Sequence, residues 1–319
     1  MIGTDVQEAV SLLKQGKLVA IPTETVYGLA ANAFDDTAVQ AIYKAKGRPQ
    51  FNPLIIHTNG LHRLEEWGMQ VPEKALALAN AFSPGPISFV IPKSNQISDL
   101  VTAGHEYVAV RIPNHPLCLD LLSRLDFPLA APSANKSGCI SPTTAQHVAD
   151  QFGEEIPYIL EGGPCTIGLE SSIVSFANNQ IQLLRLGGLA KEKIEAVLNC
   201  KLSIEHIQNN ENPLSPGLLS RHYAPTTPLY LESSVSLSSL GEPSKIACIR
   251  FQHYHPAIPK ENQFILSEMG SLDEAAQHLF MAMRLADAGQ FNCILAEVFP
   301  HHGLGLAIND RLKRAAVAS

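Results

Sequence analysis

Two cations one residue apart, Lys46 and Arg48, stand in the run Lys44-Ala-Lys-Gly-Arg-Pro-Gln-Phe-Asn-Pro-Leu-Ile-Ile-His57. Gly47 lets the backbone approach an anion and Pro49 stops the preceding helix, so both cations project from one short turn. Triphosphate binding is one reading; a solvated pair at a helix C-terminus, favoured by the helix dipole, is the other. A second polar run, Ala131-Pro-Ser-Ala-Asn-Lys-Ser-Gly-Cys-Ile-Ser-Pro142, offers Ser133, Asn135, Ser137 and Ser141 beside Gly138. Their hydroxyl and amide groups suit phosphate or ribose oxygens, or make an ordinary turn. Arg111 ends the apolar strand Val108-Ala-Val-Arg, where a cation needs a partner. A substrate carboxylate held by two guanidinium nitrogens would serve, and so would a structural salt bridge. Pro22-Thr-Glu-Thr-Val-Tyr-Gly-Leu-Ala30 and Glu161-Gly-Gly-Pro-Cys-Thr-Ile-Gly-Leu-Glu-Ser-Ser-Ile-Val174 are also polar runs hemmed in by apolar strands, the pattern of a strand-end site. In the second of these, Thr166, Ser171 and Ser172 fit a β-turn equally well.

The common phosphate cradles G-x-x-x-x-G-K-[ST] and G-x-G-x-x-G do not occur, nor do G-x-S-x-G or H-E-x-x-H. If nucleotide binds, another device holds it. His253-x-His255 and His301-His302 lack a neighbouring third ligand and zinc spacing, so they read as surface or packing histidines.

The elements that position these groups follow from periodicity. Val6, Ala9, Val10 and Leu13 share a helical face behind a Thr4 or Asp5 cap, and Leu18 to Ile21 is a strand running into Pro22. Helices are predicted near 36–45, 73–82, 116–124, 143–152 and 190–198, and strands at 54–57, 87–91, 107–112, 128–131, 157–160, 171–176 and 180–185. This mixture predicts one α/β domain over residues 1–205. Residues 206–228 are dense in Pro, Asn and Ser and read as a linker. Strands near 228–231, 245–250, 262–266 and 292–297 around a helix at 272–288, stopped by Gly289, predict a smaller α/β domain over 229–319.

The chain has 319 residues, 45% of them hydrophobic and 17% charged, a globular composition. Its net charge of −7, without any block of like charge, argues against extended phosphate contacts along a nucleic acid. The six cysteines are scattered, with no C-x-x-C pair, and read as thiols of a reducing cytoplasm. The N-terminus shows no basic and apolar leader pattern and no apolar run reaches membrane length, so a cytosolic protein is expected.

Taken together, Pro22-Thr-Glu-Thr-Val-Tyr-Gly-Leu, Lys46-Gly-Arg-Pro, Asn52-Pro-Leu-Ile-Ile-His57, Ser83-Pro-Gly-Pro, Val110-Arg-Ile-Pro113, Ala131-Pro-Ser-Ala-Asn-Lys-Ser-Gly138 and Gly168-Leu-Glu-Ser-Ser172 resemble the Sua5/YrdC family, the threonylcarbamoyl-adenylate synthases. Ser215-Pro-Gly-Leu-Leu-Ser-Arg-His-Tyr-Ala-Pro225 and Gly303-Leu-Gly-Leu-Ala-Ile-Asn-Asp-Arg-Leu-Lys-Arg look like the longer, two-domain branch. Ala30-Ala31 and Leu218-Leu-Ser220 depart from the family pattern. The resemblance implies an open, twisted mixed sheet with a large concave cavity (YrdC-like), plus a smaller Sua5-type C-terminal α/β domain. It implies synthesis of threonylcarbamoyl-adenylate from L-threonine, bicarbonate and ATP, for modification of an adenosine in tRNA. Thr25, His57, Arg111, Ala131 through its backbone, and Ser171 are expected to hold threonine. Arg48, Asn52, Tyr107, Ser133, Asn135, Ser141, Arg185, His222 and Tyr223 are expected to hold ATP. Lys46 lies between the two sets and, with Arg48, is the candidate for catalysis by fixed charge.

The reaction needs no protein nucleophile, so neither the cysteines nor Glu24 is given a covalent role. Mg²⁺ is expected only with ATP, with no tightly bound cofactor. The product is expected to pass to a separate tRNA threonylcarbamoyl transferase, without stable tRNA binding or membrane association. The 206–228 linker is expected to fold over the cavity as a lid. Rival readings are an RNA-binding or regulatory module and a carbamoyltransferase built on a related domain.

Overall fold

The structure is a computed structural model that describes residues 1–203, 214, 216 and 222–317. The expected lid, 206–228, therefore lies largely outside the described residues, as do Arg221 and the departure at Leu218-Leu-Ser220.

Two sheets form among the described residues. The larger is mixed and has ten strands, in the order Ile2–Gly3, Tyr158–Leu160, Val19–Ile21, Gly28–Asn32, Leu129–Ala130, Ile55–His57, Tyr107–Arg111, Ile87–Pro92, Ser172–Ser175 and Gln182–Arg185. The smaller is wholly parallel, in the order Leu229–Leu231, Cys293–Ala296, Ile246–Arg250 and Gln263–Ile265. Helices cover the large sheet, so its central strands are nearly continuous apolar runs rather than alternating ones.

Register sets the site. Ile55–His57 runs parallel to Tyr107–Arg111 with His57 opposite Arg111, and antiparallel to Leu129–Ala130 with His57 opposite Leu129. His57 and Arg111 thus stand side by side, and Ala131, whose amide donates to the Ile55 carbonyl, lies two residues back along the same short strand. Helix Asp36–Lys46 is capped by Asp35, whose carboxylate accepts from the Thr37 and Ala38 amides, and buries Ala38, Val39, Ile42 and Tyr43. It ends because Gly47 adopts the left-handed conformation (φ 59°, ψ 34°), which turns the chain and delivers Arg48 toward these residues.

The two halves share a core. Val26, Ile140, Leu169 and Tyr223 pack in one cluster with Leu279, Phe280, Met283, Ile308 and Leu312. Gly168 sits so close to helix Leu272–Ala288 that an added Cβ would lie 2.6 Å from the Gln277 Cα. The positive φ of 77° and this approach both call for glycine there.

Strand Gly28–Asn32 falls in and beyond what the sequence presents as a polar run. Its residues have weak strand propensity, and pairing with Val19–Ile21 sets the strand instead. The sequence reading also contains no counterpart of helix Gly305–Ala315, which has no side-chain cap to announce it.

Candidate active site

At the strand ends, His57, Arg111, Ala131 and Ser171 line one cavity, with Thr23 and Val26 from the turn after strand Val19–Ile21. Thr25 is buried beside it, its hydroxyl 2.8 Å from that of Thr23. Arg111 Nη2 lies 2.7 Å from Glu24 Oε2, and both side chains are about one-twentieth exposed. The pair is within ion-pair distance but not in hydrogen-bond alignment: both Glu24 oxygens and Arg111 Nη2 lack a hydrogen-bond partner among the described residues. The structural partner considered for Arg111 is therefore present, while the guanidinium fork retains donors for a carboxylate. Ser171 Oγ is 2.7 Å from Ser88 Oγ and accepts from Arg185 Nη2 at 3.1 Å.

Arg48, Ser133, Arg185, His222 and Tyr223 line the same cavity. Arg48 donates to the Asn52 carbonyl (3.0 Å), Asn52 Oδ1 (2.6 Å) and the Pro53 carbonyl (2.8 Å), so Asn52 acts on the cavity through Arg48. Lys46 is 2% exposed, and its ammonium donates to the Ser133 carbonyl at 2.6 Å and to the Asn135 carbonyl. The two motif pairs of the sequence are thereby one structural unit, in which Lys46 stands behind the loop that Ser133 presents. Asn135 Nδ2 donates to the Lys136 and Cys139 carbonyls, which shapes that loop. Ser141 donates to Glu170 Oε1 at 2.6 Å. Tyr107 is the outlier: its hydroxyl is 3.1 Å from Asn178 Oδ1, and it borders a separate surface hollow with Pro92 and Phe176.

The electrostatics favour an anion. Among the described residues, Lys46, Arg48 and Arg185 are buried cations without a carboxylate salt bridge, held by carbonyl, amide and hydroxyl oxygens. A buried charge without a counter-charge is costly, and an anionic ligand would remove that cost. Burial pulls the Arg48 guanidinium down to about 10 and lowers Lys46 well below its ordinary range, with Arg48 nearby adding to the effect. Burial also lowers His57 and His222 to about 3, so both rings are neutral at pH 7. Glu170 moves the other way from what burial alone would do: Arg311 and Arg185 outweigh desolvation and hold its carboxyl below the usual range.

Sequence reasoning gave no role to Glu170, Thr23 or Ser88, and left Glu24 without a noncovalent one. Glu24 and Glu170 lie inside the quoted motifs, and an acidic residue within a polar run hemmed in by apolar strands was the available signal. Ser88 carries no signal within its apolar strand.

The geometry defines an α/β protein whose mixed sheet carries a buried, arginine-rich cavity suited to a small polyanion beside a carboxylate. Residues 11–187 match the Sua5/YciO/YrdC family model, described as "Telomere recombination", and residues 189–317 match one described as "Threonylcarbamoyl-AMP synthase, C-terminal domain". The chain belongs to the Sua5/YrdC family. It is 41% identical to a Bacillus subtilis protein named threonylcarbamoyl-AMP synthase, over 98% of this chain and 92% of the relative. A Pyrococcus abyssi protein of the same name is 39% identical over 97% of this chain and 93% of its own. The crystal structure of P. abyssi Sua5 complexed with L-threonine is similar with a TM-score of 0.89 at 39% identity, covering 98% of this chain and 94% of that one.

Proposed function

We infer that this chain makes threonylcarbamoyl-adenylate from L-threonine, bicarbonate and ATP with release of pyrophosphate. The observation that carries the reading is the likeness over 98% of the chain to a Sua5 structure holding L-threonine. The cluster of buried cations without carboxylate partners supports it from the side of the nucleotide. Bicarbonate carboxylates the threonine amine with loss of water. A carbamate oxygen then attacks the α-phosphorus, and the bond to the β-phosphate oxygen breaks as pyrophosphate leaves.

Arg111, His57 and Ser171, with Thr25 and the Ala131 backbone, orient threonine; neutral His57 leaves the carboxylate to Arg111. Arg48 and Arg185 face the charge that grows on the phosphates, the largest contribution a rigid site can make. Lys46 acts by fixing the Ser133 and Asn135 carbonyls, and holding three small reactants together supplies much of the remainder. Ser133, Ser141, His222 and Tyr223 complete the nucleotide wall. Burial pushes the Cys118 thiol up to about 12 and raises Cys165 as well, which disfavours thiolate chemistry. No cluster of three or more metal-ligating side chains forms among the described residues, and Mg²⁺ enters with ATP.

The labile product is consumed by a separate tRNA-modifying transferase in the cytoplasm. No helix among the described residues is long and apolar enough to cross a membrane. Pyrophosphate release should require ATP, Mg²⁺, bicarbonate and L-threonine together. Serine should be slower by roughly fivefold, since one missing methyl in a fitted pocket is worth roughly 1 kcal/mol. Equal turnover with every amino acid would refute the threonine assignment, and turnover with carbamoyl phosphate but without pyrophosphate release would favour carbamoyl transfer.

A further inference from the structure

The largest fully buried side chain among the described residues is that of Arg311, on helix Gly305–Ala315 beside the small sheet. It leaves its own half of the molecule. Nε donates to Glu170 Oε2 at 2.9 Å, Nη2 to the Leu186 carbonyl at 2.8 Å and Nη1 to Asp310 Oδ2 at 2.8 Å. The guanidinium also lies 5.0 Å over the Tyr223 ring, whose other contacts include stacking on Phe280 at 5.6 Å.

Two features tie this cluster to the cavity. Glu170 lines it, and the carboxylate oxygen not used by Arg311 accepts the Ser141 hydroxyl. Glu170 directly precedes Ser171 and Leu186 directly follows Arg185, while Arg185 donates to both the Ser171 carbonyl and its hydroxyl. One guanidinium therefore holds both chain segments that meet in the Ser171–Arg185 contact. Without it, a buried carboxylate would face the space where the reading above puts phosphates, and like charges in a poorly solvated site repel strongly.

We propose that Arg311 of the C-terminal half is a positioning residue for the nucleotide: it fixes Glu170, and through it Ser141, and cancels a negative charge at the cavity wall. This rests on the ATP-dependent reaction inferred above, and it gives the second sheet a task in catalysis without any contact to substrate. Lysine would keep the charge but lose the fork that reaches Glu170 and Leu186 together.

The test uses the full chain, with ATP varied at saturating threonine and bicarbonate, alongside the ATP-dependent shift in melting temperature. Arg311→Met should raise KM for ATP by about tenfold or more, leave KM for threonine within about threefold, and shrink the ATP-dependent melting shift. Adding Glu170→Gln should recover most of the lost ATP affinity, a coupling that a merely structural role would not produce. Arg311→Lys should fall between, and if Arg311→Met does not fold, Arg311→Lys with and without Glu170→Gln decides the matter in the same way. A KM for ATP near that of the unaltered chain in a folded variant, or a double variant no better than the single, overturns the proposal. An unaltered chain that releases no pyrophosphate would instead refute the functional reading, and the ATP-dependent melting shift would still report whether Arg311 and Glu170 are coupled to nucleotide.

Discussion

The ten-stranded and four-stranded halves differ most in what they bury. The large half encloses Lys46, Arg48, His57, Arg111, Glu170 and Arg185, all of them 8% exposed or less. Among the described residues from 229 to 317, the buried charged residue is Arg311, and the two central strands there bury Ile, Ala, Cys and Leu. Removing charge from water is expensive, so a fold tolerates it where the charges pair or where a ligand completes the pairing. The small half follows the ordinary rule, and its one exception pairs with Glu170 at the wall of the other half's cavity. Burial of unpaired charge thus marks the site more sharply than the presence of charge does.

The largest expected effect breaks that contrast directly. Arg48→Ala should lower turnover by about 100- to 1000-fold, the range for removing one fixed group that faces developing charge. The sequence suggests a partly exposed cation with little part in folding, but Arg48 is buried and serves three acceptors, so stability should fall too, by roughly 1–3 kcal/mol. Arg250 is the matched control in the small half, paired with Glu232 at 2.6 Å and near Glu297. Arg250→Ala should lower the melting temperature while turnover stays within about twofold, because it touches nothing in the cavity. Comparable loss of turnover in the two variants would erase the distinction between the halves.

A smaller effect sharpens it. Arg111→Ala should raise the threonine concentration needed for half-maximal rate by roughly ten- to 100-fold, the value of a charge-assisted hydrogen bond, with kcat less affected. Glu24→Gln, which keeps the shape but removes the counter-charge, should leave Arg111 free to bind and change the threonine KM by less than about threefold. If Glu24→Gln were as damaging as Arg111→Ala, the ion pair and not the free donors of Arg111 would be what threonine depends on.

Much of the large half was legible because its strand cores are apolar runs interrupted by polar loops, and the loops carry the site. What could not be read was which groups meet. Lys46 and the Ser133 carbonyl are 87 positions apart, and Glu170 and Arg311 are 141 apart, so spacing along the chain is silent about both. Lys46 and Arg48 look alike in the sequence, yet the left-handed Gly47 between them sends one behind the Ser133 loop and the other to the cavity wall. Arg311 did leave a trace: it falls among Ala307, Ile308, Leu312 and Ala315, an arginine on an apolar helical face. That trace was unread because the helix itself lacks a start signal.

The smallest expected effect concerns the neutral histidines that sit among the cations. His57 has an ordinary value of 6.5 and is lowered to about 3, by burial first and then by Arg111. Its folded value lies below its unfolded one, so the unfolded chain takes up the proton first as pH falls. The stability it contributes is complete above about pH 6.5 and is lost progressively as pH drops toward 3. Between pH 7 and pH 5.5 this amounts to about 1 kcal/mol. Melting curves across that window should therefore show a decline that His57→Gln reduces, since glutamine cannot take up the proton. The same rings predict that turnover between pH 6.5 and 8 does not follow a histidine titration, because neither His57 nor His222 gains charge there. A decline as steep in His57→Gln as in the unaltered chain would mean that acid sensitivity does not belong to His57 and its buried place in the cavity.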